Sequence, residues 1–305
     1  MEYILETQNL TKIYGHKAAV KDVNLHIKEG QIYGLIGRNG AGKTTIMRMI
    51  SGLSRPTRGS YSLFGKTGLA MQMQLKNVGV LIEHPGLYPK LSAYENLKIK
   101  CIAMGIKPQG YVENLLKTVG LENTDAKKGA GSYSLGMRQR LGIALALVGD
   151  PKMIVLDEPI NGLDPQGIVE VREMVSRLRT EKGITIMISS HILDELSKVA
   201  DAYGVIHEGT LLDEFSAEEL HKRCGESLVL RTDNNAETLR VLDNMGLQGA
   251  VSEPDGSLRL GSGMNKTKEI SKAIVNAGIG LEEIYLRSMT LEDYYLGMTG
   301  GAHNG

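Results

Sequence analysis

A glycine-rich run that ends in Lys-Thr-Thr carries the clearest chemistry in the sequence. The run, GRNGAGKTT at 37–45, follows the apolar segment QIYGLI and continues into the helix-like segment TTIMRMIS. Its glycines allow backbone N–H groups to turn inward around a phosphate, and the N-terminus of the following helix adds a positive dipole. Lys43 can then reach the β- and γ-phosphates of a nucleotide, and Thr44 can place its hydroxyl on Mg²⁺.

Two adjacent carboxylates and a histidine end other apolar runs. Asp157 closes the run KMIVL and suits indirect Mg²⁺ coordination, while Glu158 can polarise an attacking water as general base. Two carboxylates at a buried strand end are costly without a cation, which argues against a purely structural role. His191, at the end of SSH, is either a donor to the γ-phosphate or a satisfied histidine at the edge of the core.

A serine before a long apolar helix predicts a second anion site. In GAGSYSLGMRQRLGIALAL at 129–147, Ser134 is a natural N-cap, so its hydroxyl and the following amides point outward. If this helix start and the phosphate loop lie on separate faces of the domain, Ser134 needs a nucleotide that a second copy presents.

Glu83 stands where the short apolar run VGVLI leaves the core, directly before His-Pro-Gly. A Pro-Gly pair ends such a run abruptly, and a solvated turn acid is one interpretation of Glu83. A metal-linked role beside the nucleotide is the other.

The elements that position these residues alternate along the chain. Short apolar runs at 31–37, 77–83, 152–158, 183–190 and 202–209 are separated by helical stretches, which predicts an α/β core with both sheet faces covered. Ser92 with Glu95 forms a capping box for a helix to about Met104, and Asp164-Pro165 begins another helix.

After about residue 224 the order becomes β-α-β-β-α-β, with EPDG at 253–256 as a hairpin turn and a closing helix at TLEDYYLGM. We therefore expect a first domain at 1–222, a small ferredoxin-like α+β domain at 223–300 and a flexible Gly-rich tail at 301–305. The second domain is either a packing or dimerisation domain or a ligand sensor.

Composition excludes several classes of partner. Lys plus Arg equals Asp plus Glu at 35 each, so no basic field predicts binding to nucleic acid or to an anionic membrane surface. Two cysteines without metal or redox spacing indicate a reducing cytoplasm. The N-terminus lacks a secretion signal, and the most apolar helical stretch, LGIALALVG, is about half the ~20 residues that span a bilayer.

Together these motifs resemble an ATP-binding cassette (ABC) ATPase subunit over residues 1–220. The resemblance implies a P-loop nucleotide-binding domain with a mixed core sheet, an antiparallel N-terminal sheet and a helical signature subdomain. It implies ATP contacts from the phosphate loop and from four residues outside it. The loop residues are Gly37, Arg38, Asn39, Gly40, Ala41, Gly42, Lys43, Thr44 and Thr45; the others are Tyr14, Ser134, Gly136 and Asp164.

The same resemblance implies two such domains, head to tail, sharing Mg-ATP between them. Ser134 and Gly136 of one would face the γ-phosphate on the other, and Asp164 would lie at the interface. Tyr14 would stack on adenine, although it can also be a simple strand aromatic. The usual signature Leu-Ser-Gly-Gly-Gln is altered, since Tyr133, Leu135 and Met137 replace its first, third and fifth residues.

In most ABC ATPases a glutamine that touches Mg²⁺ occupies the place of Glu83. A carboxylate ~4 Å from a phosphate oxygen costs about 4 kcal/mol at an effective dielectric near 20, so Glu83 should engage the nucleotide only through Mg²⁺ or when protonated. Glutamate here, followed by HPGLYPKLSAYENL, and the ending LRSMTLEDYYLGMTGG resemble the bacitracin- and lantibiotic-resistance exporters.

This subgroup implies a cytoplasmic motor subunit, peripheral at the inner face of the cell membrane, that forms a homodimer and works with separate permease subunits. The segment 84–104 would be the docking surface, unless its apolar residues (Leu87, Tyr88, Leu91, Tyr94 and Leu97) are local core. An importer with a C-terminal sensing domain and a non-transport ABC ATPase are the alternatives.

Overall fold

The structure, a computed structural model, describes residues 3–223, 226–253, 255–288 and 290–299. The chain divides into two compact units, Met1–Ala217 and Glu218–Gly305. The division falls five residues before the boundary expected from the sequence, because the helix that begins at Ala217 separates with the second unit. Cys224, Pro254 of the expected hairpin turn and the expected tail at 301–305 lie outside the described residues.

Within those ranges the strands run in the following chain order. They are β1 (Tyr3–Tyr14), β2 (Lys17–Val23), β3 (His26–Lys28), β4 (Ile32–Ile36), β5 (Arg58–Leu63), β6 (Val78–Leu81), β7 (Met153–Leu156), β8 (Thr185–Ser190), β9 (Ala202–His207), β10 (Thr210–Ser216), β11 (Glu226–Thr232), β12 (Val251–Ser252), β13 (Leu258–Leu260) and β14 (Leu281–Ser288).

The helices separate the strands along most of the chain. They are α1 (Lys43–Ile50), α2 (Gly68–Gln72), α3 (Ala93–Ala103), α4 (Tyr111–Thr118), α5 (Leu135–Leu147), α6 (Pro165–Lys182), α7 (Leu193–Ser197), α8 (Ala217–Arg223), α9 (Asn235–Asn244), α10 (Thr267–Asn276) and α11 (Leu291–Thr299).

A six-stranded mixed sheet forms the centre of the first unit, in the order β10-β9-β4-β8-β7-β6. All its neighbours are parallel except β9 and β10, which form an antiparallel pair. Every residue of β4, β7 and β8 is buried, as expected for strands covered on both faces. The expected α/β core is confirmed, and the ends of β4, β6, β7 and β8 meet at one edge of this sheet because these strands are parallel.

An antiparallel sheet of β2, β1 and β3, with β5 also paired to β1, forms the N-terminal part of this unit. Its inward side chains share one apolar cluster with α1 and with the central sheet, including Leu5, Ile27, Ile46 and Met187, which are fully buried. This shared core fixes α1, and therefore the loop before it, relative to the sheet.

Helices α3, α4 and α5 pack together as a helical layer. The predicted capping box is present, since Ser92 Oγ accepts from Glu95 N and the Glu95 carboxylate accepts from Ser92 N at 2.8 Å. The Tyr133 hydroxyl accepts from Ala93 N at 3.1 Å, which ties the start of α3 to the residue before the cap of α5. Tyr133, one of the residues that depart from the usual signature, is therefore buried and hydrogen-bonded.

The second unit has the predicted β-α-β-β-α-β order. Its antiparallel sheet runs β12-β13-β11-β14, which places the first and third strands of the motif in the middle, as in a ferredoxin-like fold. Leucines 228, 230, 258 and 260 alternate toward α9 and α10 and form its core with Ile270 and Ile274.

A bilayer crossing needs a long and strongly apolar helix, and the helices of the described ranges include none that meets both requirements.

Candidate active site

The glycine-rich loop connects β4 to α1 at the carboxyl edge of the central sheet. Gly40 and Gly42 have φ values of 83° and 109°, which L side chains rarely adopt. A Cβ built on Gly42 would lie 2.7 Å from the Ala19 carbonyl oxygen, whereas one on Gly40 would meet nothing within 4 Å. Gly42 is therefore required by the fold, and Gly40 borders open space that a phosphate can fill.

Lys43 is the first residue of α1 and is only 5% exposed. Its Nζ donates to the Gly37 carbonyl at 2.6 Å and lies 3.1 Å from Glu158 Oε1. The contact with Glu158 is ionic, because Oε1 has no partner with hydrogen-bond geometry. A pocket of about 180 Å³ lies beside this lysine, and its lining includes Asn39, Thr45 and Glu158. We call it the phosphate pocket, after the role that the sequence predicts for it.

Short hydrogen bonds connect α1, the helix after the glycine-rich loop, to the ends of β7 and β8. Thr44 Oγ1 donates to Asp157 Oδ2 at 2.7 Å, and Ser189 Oγ donates to Asp157 Oδ1 at 2.6 Å. Asp157 is 4% exposed, so these two donors offset the cost of burying its charge. The structure thus brings together both residues that the sequence assigned to Mg²⁺ at this strand end.

Glu158 lies between the lysine and the predicted histidine. His191 Nδ1 is 2.7 Å from Glu158 Oε2, and the backbone N–H of Glu158 donates to Ser189 Oγ at 2.9 Å. Glu158 adopts a left-handed backbone with φ of 48°. Its carboxylate is held at both oxygens at the mouth of the phosphate pocket, where a general base is useful.

Glu83 follows β6, the neighbour of β7. The register pairs Leu81 with Leu156, so Glu83 and Glu158 stand at the same level beyond their strands. Glu83 also has a left-handed backbone, with φ of 63°, but its side chain is 56% exposed and pairs with Arg48 Nη2 at 2.6 Å. The metal role of Glu83 stays a prediction.

The signature residues lie at the exposed start of α5. Ser134 is the N-cap and accepts from Met137 N at 3.2 Å, as predicted. A Cβ on Gly136 would meet Leu163 Cδ2 at 3.8 Å, an ordinary contact, so the fold of this chain does not itself require glycine there. Neither residue lines the phosphate pocket of its own chain.

Asp164 and Tyr14 occupy the positions that their local sequence predicts. Asp164 is the N-cap of α6 and accepts from Gly167 N at 3.0 Å, with Pro165 as the first helical residue. Tyr14 ends β1, is 49% exposed, and has the Lys12 ammonium 5.1 Å from its ring centroid. The nucleotide contacts of both residues stay predictions.

The predicted docking segment divides between core and surface. Leu97 is fully buried, whereas Tyr88 is 56% exposed. Tyr88, Ile99 and Lys100 line a groove of about 440 Å³ together with Leu145 of α5. Burial lowers the pKa of Lys100 below its ordinary value.

Known proteins are similar to this chain in both sequence and fold. A family model described as ABC transporter matches residues 20–161. The chain is 42% identical over 302 residues to the bacitracin transport ATP-binding protein BcrA of Enterococcus faecalis, covering 99% of this chain and 98% of that protein. This chain is an ABC transporter ATP-binding protein.

Two further similarities refine this assignment. The ABC protein is 46% identical over 209 residues to the lantibiotic transport ATP-binding protein SrtF of Streptococcus pyogenes, covering 68% of this chain and 89% of that protein. The structure of the ATP-binding cassette MJ0796, a post-hydrolysis dimer bound to ADP and Pi, superposes with a TM-score of 0.63 at 25% identity, covering 70% of this chain and 98% of that one. The post-hydrolysis state of MJ0796 shows that a similar cassette hydrolyses ATP, and the ABC protein is an ATPase of the same family.

The residues at the sheet edge fit a Mg²⁺-bound nucleotide. Within the described residues, no three His, Cys, Asp or Glu side chains form a metal site by themselves. Thr44 lines the same pocket as Gly40 and is hydrogen-bonded to Asp157, so the two residues supply hard oxygen donors of the kind that Mg²⁺ prefers.

Two residues of the site were not assigned a role from the sequence. Ser189 bonds to both Asp157 and Glu158, and Arg48 pairs with Glu83. The motif SSH contains Ser189, and its position at the end of a predicted parallel strand is the available signal. Arg48 carries no such signal, since its partner is distant in sequence.

Proposed function

We propose that this protein is the ATP-hydrolysing motor subunit of an exporter that removes a peptide antibiotic of the bacitracin or lantibiotic type. The proposal is supported by the names of its relatives, one of which matches it over 99% of its length. The observation that carries the motor function is Glu158, held between Lys43 and His191 at the mouth of the phosphate pocket.

In this mechanism Lys43 exchanges its contact with Glu158 for the β- and γ-phosphates of ATP. Both are strong interactions with a buried ammonium, so nucleotide binding frees the Glu158 carboxylate to accept a proton from the attacking water. His191 then orients Glu158 and can donate toward the γ-phosphate. Thr44 and Asp157 would hold Mg²⁺, which when bound neutralises phosphate charge.

A second copy of the chain completes the site. Ser134 is exposed at a helix N-terminus whose free N–H groups and dipole favour an anion, and Gly136 leaves room for the close approach of another backbone. Asp164 stands at the start of α6, where it would meet the opposing cassette. We assign Ser134 and Gly136 to the γ-phosphate on the partner, and Asp164 to the interface, in a head-to-tail homodimer.

The membrane permease would dock in the groove beside Tyr88 and Ile99, at the inner face of the cell membrane. A largely apolar groove with an exposed tyrosine and an exposed isoleucine suits a helix of such a partner. We assign residues 1–222 to the nucleotide-binding domain and 223–300 to an accessory domain for packing or dimerisation.

The first experiment tests ATP hydrolysis independently of the transported antibiotic. Glu158→Gln should keep ATP binding, lose hydrolysis by a factor on the order of 100 to 1,000, and accumulate as a dimer in Mg-ATP on size-exclusion chromatography. Glu208→Gln is the matched control, because Glu208 also follows a strand of this sheet with a left-handed backbone (φ 46°). Unchanged hydrolysis in Glu158→Gln would reject the general base.

The antibiotic is tested in cells. Coexpression with a matching membrane permease should raise the bacitracin or lantibiotic concentration that a sensitive host tolerates, and Glu158→Gln should abolish the gain. Protection against neither class of peptide, from a complex that hydrolyses ATP normally, would reject the proposed cargo and leave the motor intact.

A further inference from the structure

Helix α1 is bonded to the ends of two neighbouring strands. Thr44 and Arg48, four residues apart on one face, reach Asp157 beyond β7 and Glu83 beyond β6, at 2.7 and 2.6 Å. The helix that follows the glycine-rich loop therefore also holds Glu83, which stands where ABC ATPases usually have glutamine.

The position of Glu83 brings its backbone close to the phosphate pocket. It stands level with Glu158, which lines that pocket, and adjacent strands lie about 4.8 Å apart. Its carboxylate turns instead to Arg48. A carboxylate turned toward the pocket would repel the phosphates of a metal-free nucleotide, whereas a divalent cation between them reverses the sign of the interaction.

We propose that Arg48 is a positioning residue that holds the Glu83 carboxylate away from the phosphates until a divalent cation is present. This inference rests on the proposed nucleotide site. Both side chains are about half exposed, 40% for Arg48 and 56% for Glu83, so the pair is weak enough to exchange for a metal ligand. The arginine thus compensates for the negative charge that glutamate brings to a position where ABC ATPases usually carry a neutral amide.

The proposal makes the effect of Arg48 depend on the charge at position 83. Without arginine, Glu83 would turn toward the phosphates, weakening metal-free binding and strengthening the benefit of Mg²⁺. With glutamine at 83, removal of Arg48 should change neither quantity.

The experiment measures a fluorescent ATP analogue binding to the full chain, in EDTA and in saturating Mg²⁺, for wild type, Arg48→Gln, Glu83→Gln and the double variant. The dissociation constant in EDTA divided by that in Mg²⁺ is the metal ratio. It should be about threefold larger in Arg48→Gln than in wild type, the size expected of a half-exposed ion pair. The double variant should match Glu83→Gln. Arg48→Lys should stay close to wild type, since it keeps the charge.

The matched control is Arg179→Gln, because Arg179 is 39% exposed and pairs with Asp201 in the same unit. Its metal ratio should equal that of wild type. An unchanged ratio in Arg48→Gln, or an equal rise in the Glu83→Gln background, would overturn the positioning role. A loss of nucleotide binding in wild type itself would instead reject the proposed site.

Discussion

Glu158 and Glu83 occupy equivalent places on neighbouring parallel strands, yet their surroundings differ. Each lies two residues beyond a paired leucine, and each has a left-handed backbone, with φ of 48° and 63°. The Glu158 side chain is 20% exposed and contacts a lysine and a histidine, whereas Glu83 is 56% exposed and contacts one arginine.

The difference shows that the sheet edge sets where the two glutamates lie, whereas their burial and their partners determine what each carboxylate can do. A carboxylate that is largely withdrawn from water must be paired, so changes around Glu158 leave charges uncompensated. An exposed ion pair is screened by water and contributes little to stability. Substitutions on the Glu158 side should therefore have large effects and those on the Glu83 side small ones.

Lys43→Ala should have the largest effect. It removes the buried cation of the phosphate pocket and leaves Glu158 without its ionic partner, so ATP affinity should fall about 100-fold, as for loss of a strong charge-assisted contact. Titration of a fluorescent ATP analogue measures this. Lys152→Ala, which removes an exposed lysine just before β7, is the control. Affinity within twofold of wild type in Lys43→Ala would contradict the phosphate assignment.

His191→Ala should slow hydrolysis about 30-fold with little change in ATP affinity, because it frees one Glu158 oxygen from its positioning contact. Single-turnover hydrolysis separates the chemical step from binding. His207→Ala, at the end of β9 in the same sheet, should be near wild type. If the two histidine variants hydrolyse ATP at the same rate, His191 is a residue of the core edge.

Ser189→Ala should slow hydrolysis about tenfold and lower the free energy of unfolding by roughly 1–3 kcal/mol, because buried Asp157 loses a donor. Ser190 is the matched control: it is equally buried, but its Oγ accepts from Ile192 N at 2.9 Å, away from the carboxylates. Denaturant unfolding and steady-state hydrolysis of both variants measure the difference. Equal hydrolysis rates would show that the bonds of Ser189 are purely structural.

The sequence was sufficient wherever a function depends on local chemistry. The loop glycines, the Ser92 capping box and the Asp164 cap lie as predicted, because each needs only neighbours along the chain. The strands of the central sheet were also located, since runs such as MIVL are apolar throughout.

The cross-bonds within the site were beyond local prediction. Ser189 meets Asp157 32 residues away and Arg48 meets Glu83 35 residues away, so each pair exists only after the strands assemble. The hydroxyl of Tyr133 likewise bonds to Ala93, 40 residues away. Contacts of this kind follow from topology, which a motif does not encode.

Glu83→Gln should have the smallest effect and bears most directly on the comparison. The free energy of unfolding should change by less than about 0.5 kcal/mol, because only a half-exposed ion pair is lost. The Mg²⁺ concentration for half-maximal hydrolysis should rise about two- to threefold, since a neutral amide oxygen is a weaker ligand for a hard cation than a carboxylate.

Metal titrations of hydrolysis at saturating ATP measure the shift for wild type and Glu83→Gln, with Glu208→Gln as control. A higher Mg²⁺ requirement in Glu83→Gln alone would mean that the exposed acid leaves Arg48 to meet the metal, so that the two equivalent glutamates serve one nucleotide in different ways. Identical metal profiles would make Glu83 a solvated turn acid, and the functional edge of the sheet would then end at β7.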